Sequence, residues 1–292
     1  MTCSLLKRCR EQAQLSSQAG GHERFQTAKL SAFLLLIAVC GSNGCATRPP
    51  TRETQTTFTL GATTIHAKVL QHGHPLPTMV NLHDDENTSV RAGRVVVLES
   101  GGRLIELAHS GRRRVDFLLD GMLLNFDPNR IFSDEGIRAT LTRGGKYSVQ
   151  AHEVVARFAR QFLERHGLDR EPVIVALHNT DGRGLTINTY LSGQQKDRAG
   201  AAVHVSARRA AGDFFYVTDA RFFGYLKARE FNVVLQDDSR VPDDGSLSVY
   251  FARKEIPYIN VEANVNHFEE QVEMVRAATE MLKLLGLIAQ SR

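Results

Sequence analysis

No cysteine follows position 45: Cys3, Cys9, Cys40 and Cys45 all lie near the start of the 292-residue chain. A disulfide framework is therefore excluded for the rest of it. A strong excess of either charge is also missing. The formal charge of +4 shrinks once residues 1–44 are set aside, because Lys7, Arg8, Arg10, Arg24 and Lys29 there face only Glu11 and Glu23. Beyond Arg112-Arg113-Arg114 no basic stripe remains, which removes the electrostatic case for a nucleic-acid partner. There is no Gly-x-Ser-x-Gly elbow, phosphate-binding loop or dinucleotide fingerprint, so serine hydrolases, P-loop NTPases and Rossmann oxidoreductases have no support. Internal repeats and low-complexity tracts are absent as well.

No apolar run is long enough to cross a bilayer as a helix. The longest, Leu30 to Val39 (LSAFLLLIAV), follows a basic stretch and has the length of a secretory-signal core. Gly41-Ser42-Asn43-Gly44-Cys45 resembles a bacterial lipoprotein signal, in which the cysteine becomes the acylated first residue. The resemblance implies a signal over residues 1–45, acylation of Cys45, a tether over 46–57, and a domain over 58–292 held at a membrane and facing the periplasm. Ser42 stands where such signals usually carry leucine. A plain signal peptide, with a soluble exported product, is the alternative.

The hydrophobic content of 42% supplies a core for one large domain. Short apolar runs alternate with amphipathic stretches, which predicts an α/β fold. Strands are expected at Thr57–Leu60, Thr64–Leu70, Thr78–His83, Leu104–Leu107, Val115–Leu119, Pro172–His178, Phe214–Val217, Asn232–Leu235 and Ile259–Glu262, with a polar loop at Asn125–Phe132. Helices are expected near Asn87–Leu98, at Ser148–His166 and near Ala220–Arg229, with another at the C-terminus, where Asn266 and Glu269 read as a capping box. Helical crossovers between apolar strands imply a single domain with a mixed, mostly parallel central sheet flanked by helices. In such sheets, binding sites gather at the carboxyl ends of strands.

Three chemistry-bearing residues stand at those ends: His83, His178 and Glu262. His83-Asp84-Asp85-Glu86 is an H-x-x-E pair, able to turn imidazole and carboxylate toward one ion. A third ligand from another strand completes the two-histidine, one-carboxylate set of catalytic zinc, and His178 at the end of PVIVALH is the candidate. Burying an unpaired imidazole after such an apolar strand is costly, and a metal removes that cost. His72, His74, His109, His152 and His166 fall in loops or on helix faces and read as ordinary.

The order His83-x-x-Glu86, Asp127-Pro128-Asn129-Arg130-Ile131-Phe132, Leu177-His178-Asn179-Thr180, Val261-Glu262 resembles the zinc carboxypeptidase superfamily. Its spacing is most similar to the succinylglutamate desuccinylase and aspartoacylase branch. Gly245-Ser246-Leu247 and Ile256-Pro257 look more like the peptide-cleaving carboxypeptidases. The resemblance implies one zinc ion on His83, Glu86 and His178, with Glu262 as the general base. It further implies Asn129 and Arg130 as the grip on a substrate carboxylate, and Leu247 as the side-chain pocket residue. Where the branch has a second, oxyanion-steadying arginine this chain has Met122, and Arg112, or else Arg113 or Arg114, is the candidate substitute. A solvated basic turn is the other reading of that triplet. Ala176 replaces the acid usual two residues before the third ligand.

The expected activity is an exported zinc hydrolase. It cleaves an amide bond next to a free carboxylate, on a small peptide, with peptidoglycan stem peptides as a candidate substrate from compartment alone. An N-acyl amino acid deacylase is the alternative, and a ligand-binding lipoprotein without catalysis is the alternative of another class.

Overall fold

The computed structural model describes residues 50–181 and 183–289. Cys45, the signal segment and the start of the tether lie outside the described residues. Phe58, Leu60, Ile65 and Ala67 are buried on one side of an opening hairpin, β1 (Thr51–Leu60) and β2 (Thr63–His72). The first strand begins at Thr51, inside the stretch that reads as a tether. Threonine, glutamate and glutamine at 51–57 give no apolar signal, yet their backbone pairs with β2 residue by residue, Thr51 opposite His72.

The chain continues through β3 (Thr78–Asn81), α1 (Asn87–Ser100), β4 (Gly102–Ala108), β5 (Val115–Leu119), β6 (Met122–Phe126), α2 (Asp134–Arg143), α3 (Val149–His166) and β7 (Ile174–Thr180). It closes with β8 (Gly200–His204), β9 (Phe214–Val217), α4 (Ala220–Ala228), β10 (Val233–Gln236), α5 (Leu247–Arg253), β11 (Tyr258–Asn264) and α6 (Phe268–Leu284). Nine strands form one mixed sheet in the order β1-β2-β4-β3-β7-β11-β9-β10-β8, and β5 and β6 make a separate hairpin. The centre, β4-β3-β7-β11, is parallel. Helices pack on both faces, as parallel strands require.

Alternation along the central strands sorts side chains between two cores. Val80, Ile174, Ala176 and Tyr258 join the core beneath α2, α3 and α5. Met79, Val175, Leu177, Ile259 and Val261 join the opposite one beneath α1, α4 and α6. His178 and Glu262 continue the first series by strand periodicity. Both therefore emerge on the face of α2, α3 and α5.

Caps fix both ends of α3 as the sequence suggests. Ser148 Oγ accepts from Ala151 N at 3.1 Å, and Gly167 ends α3 in the left-handed conformation at φ 64°. The expected capping box on α6 does not form. His267 is the residue before that helix and makes no side-chain cap bond, because Asn266 turns away at φ 72°. Among the described residues no helix is long and apolar enough to cross a membrane.

Candidate active site

His83 follows β3, and the turn His83-Asp84-Asp85-Glu86 delivers Glu86 to the residue just before α1. His178 lies inside β7, one strand away from β3. The two imidazoles and the carboxylate meet in a buried group: His83 Nδ1 is 2.8 Å from Glu86 Oε1, His178 Nδ1 is 2.9 Å from Glu86 Oε2, and the two Nδ1 atoms are 3.2 Å apart. Two ligand atoms on a tetrahedral ion with bonds of about 2.0–2.1 Å are separated by about 3.3 Å. The spacing and the donor set thus fit a metal ion, and these three residues form a group able to hold one.

His83 Nε2 meets Asp127 Oδ1 at 2.9 Å, the outer carboxylate that fixes a ligating imidazole's orientation. Burial disfavours the His83 charge, but Glu86 and Asp127 outweigh it and raise the imidazole to about 9. Burial likewise opposes ionisation of Glu86, and the two histidines overcome it, holding that carboxyl well below its usual range. A layer of buried amides lies underneath. Asn81 Nδ2 donates to Ser89 Oγ and to Leu177 O, Asn179 Oδ1 accepts from Ser89 N, and Gln271 Nε2 donates to His178 O at 2.8 Å. These bonds tie β3, α1, β7 and α6 together, and a buried network of this kind fixes geometry.

Glu262 stands opposite His178 in the parallel β7–β11 register and is 4% exposed. Burial, with a smaller push from Glu86, raises its pKa against the pull of His178 and of the Asn260 amide, whose Nδ2 donates to Glu262 Oε2 at 3.2 Å. Glu86, His178 and Glu262 line a cavity of about 730 Å³, together with Arg113, Asn129, Arg130, Lys196, Tyr190 and Tyr216.

Asn129 and Arg130 reach this cavity from the turn after β6. Asn129 Oδ1 accepts from Leu247 N at 3.0 Å and its Nδ2 faces His178 Nε2 at 3.4 Å. Arg130 Nε lies 3.5 Å from Asp244. Gly245 makes this junction possible: with φ 73°, it sits where a Cβ would strike Arg130 O and Gly136 Cα.

Two sequence expectations need correction. Leu247 is fully buried in the core beside Phe251 and Tyr258 and contributes only its N–H to the site. Ser246 and Ser248 line the cavity in its place, because Leu247 opens α5 and turns its side chain inward. Arg112 points to solvent, 72% exposed, and pairs with Asp116 at 3.0 Å. Arg113 is the arginine that enters, its Nη1 donating to Glu86 Oε1 at 2.8 Å. Arg114 is spent on Asn125 and Thr140. Asp127 opens the Asp127–Phe132 motif, which gives no sign of its bond to His83, and the contact of Asn260 and the cavity positions of Lys196, Tyr190 and Tyr216 carry no local sequence signal. They follow from contacts between distant segments.

No family profile and no curated protein matches the sequence. Among solved structures, the chain is similar to an aspartoacylase family protein from Mesorhizobium loti, at 13% identity and a TM-score of 0.39, over 83% of this chain and 69% of that one. It is also similar to the tripeptide-bound cell shape determinant Csd4 from Helicobacter pylori, at 12% identity and a TM-score of 0.40, over 83% of this chain and 57% of that one. The chain thus spans just over half the length of the latter. These likenesses are distant.

Proposed function

We propose that the chain is a zinc-dependent hydrolase that cleaves an amide bond adjacent to a free carboxylate on a small peptide. The observation that carries this reading is the register of Glu262 with His178: a desolvated carboxylate stands beside a two-histidine, one-carboxylate metal group at the wall of an open cavity. His83, Glu86 and His178 would hold the zinc ion. When bound, it supplies Lewis acidity at a scissile carbonyl and acidifies water.

Arg130, beside Asn129, engages the substrate carboxylate, for which a planar guanidinium is well shaped. Arg113 faces the carbonyl oxygen as it gains negative charge. Glu262 takes a proton from the attacking water as the new C–O bond forms, then delivers it to the nitrogen as the C–N bond breaks. Burial raises its pKa, which makes it a stronger proton acceptor than an ordinary carboxylate. The cavity of about 730 Å³ has room for a short peptide.

We also propose export and anchoring through an acylated Cys45, a reading that rests on the sequence alone. Peptidoglycan-derived peptides are then candidate substrates. Incubating the metal-loaded domain with short peptides and with N-acyl amino acids tests the activity. Release of C-terminal amino acids supports the reading, turnover of N-acyl amino acids alone replaces it with a deacylase, and turnover of neither overturns it. Metabolic labelling of the full chain with a fatty acid, compared with Cys45→Ser, tests the anchor.

A further inference from the structure

Asp84 follows the ligand His83 directly but takes no part in the metal group. Its Oδ2 instead accepts two backbone bonds, from His109 N and from Gly111 N, each at 2.7 Å. Those amides belong to the irregular segment between β4 and β5 that ends in Arg112-Arg113-Arg114. Gly111 has φ 70°, a left-handed conformation that lets N–H groups two positions apart turn toward a single anion. Two charge-assisted bonds of this length are strong ones.

The segment they hold has three adjacent guanidinium groups that repel one another, and each leaves in its own direction: Arg112 to Asp116, Arg114 to Asn125 and Thr140, and Arg113 to Glu86. The turn His83–Glu86 thus grips this segment at two points, backbone on Asp84 and guanidinium on Glu86. We propose that Asp84 is a positioning residue, which aims Arg113 into the reaction centre by anchoring the backbone of residues 109–111. The proposal rests on the hydrolase reading for its effect on rate. Its structural core can be measured without activity.

Residues 109–114 (HSGRRR) contain no apolar side chain, so the loop is held by polar contacts between the buried Ala108 and Val115. Removing Asp84 leaves the arginine in the sequence but frees its aim, and a displacement of about 1 Å at a reacting centre can cost on the order of 10²-fold. Asp84→Ala is therefore expected to lower kcat by about 10- to 100-fold with KM changed little and metal content intact. Arg113→Gln is expected to lose at least as much. The double variant should match Arg113→Gln alone, because Asp84 acts through Arg113.

Independent, multiplying losses would overturn the proposal, as would loss of metal from Asp84→Ala, which would assign Asp84 to support of His83 instead. Asp84→Asn keeps one acceptor oxygen and serves where the alanine variant fails to fold; it should lose less rate and show the same non-additivity. Hydrogen exchange provides the readout free of catalysis. Amides of residues 109–114 should exchange faster in Asp84→Ala than in the parent while β3 and β7 stay protected. Unchanged exchange at 109–114 sinks the proposal even in an active enzyme, whereas faster exchange in a protein that hydrolyses nothing retains the anchor and removes only the hydrolase reading.

Discussion

Glu262 and His178 are paired across the parallel β7–β11 ladder, so the backbone register of the sheet sets the distance between the two side chains. That distance cannot drift without shifting two central strands that are buried on both faces. A carboxylate mounted this way needs no flexible loop to bring it beside the His83-Glu86-His178 group.

Replacing Glu262 with Gln keeps shape and removes the proton acceptor. We expect kcat on a short peptide to fall by at least about 100-fold, with metal content unchanged. Steady-state kinetics together with elemental analysis check this, and undiminished turnover would contradict the assigned role.

His83→Ala and His178→Ala each remove a corner of the metal group. Zinc should fall from one equivalent per chain to a small fraction. The parent's Tm should rise with added zinc, since a ligand that binds only the folded state stabilises it, and neither variant should show that rise at the same zinc concentration. A zinc-dependent Tm in both variants would place the ion elsewhere.

Arg130→Ala should reduce kcat/KM for a peptide with a free C-terminal carboxylate by roughly 10- to 100-fold, the range for losing a charge-assisted bond. The same variant should treat a C-terminally amidated peptide no worse than the parent does. Equal sensitivity of both peptides to the substitution would separate Arg130 from carboxylate recognition.

Gly245→Ala is expected to destabilise the fold by about 1–3 kcal/mol, because φ 73° and the backbone of Arg130 and Gly136 leave no room for a Cβ. Urea denaturation measures it, and a midpoint equal to the parent's would show that the junction relaxes freely.

His166 gives a pH dependence separate from the metal. It is buried against Phe58 and Phe162, and burial, helped by the charges of Arg103 and Arg165, pushes its pKa down from 6.5 to about 4. The unfolded chain therefore binds the proton more readily between those values. Stability from this group is complete above about pH 6.5 and is lost as pH falls toward 4, by about 2 kcal/mol between pH 7 and pH 5. His166→Leu should flatten that part of the slope; an identical acid sensitivity would assign it to other groups.

The grouping of His83, Glu86 and His178 and the placing of Glu262 beside His178 are legible because His83, His178 and Glu262 stand near the ends of apolar strands, where such sheets place chemistry. What stayed hidden depends on partners far away in sequence. Nothing within Arg112-Arg113-Arg114 says which arginine turns inward, since the choice is made by Asp84 and Glu86 more than twenty residues earlier. Leu247 followed a motif, but the start of α5 turned its side chain into the core. The end of β6 at Asn125-Phe126 falls in the stretch expected as loop, and β6 pairs with β5 across the two-residue Asp120-Gly121 turn, both residues at positive φ. The polar stretch 51–57 became strand through backbone pairing alone, which side-chain patterning does not report.

Gln271 lies in α6, and its amide donates to the carbonyl of His178 while accepting from Asn179. A helix that supplies no member of the His83-Glu86-His178 group thus steadies the backbone of one member from the opposite layer of the sheet. Loosening that helix would disturb the group without touching any of its three side chains.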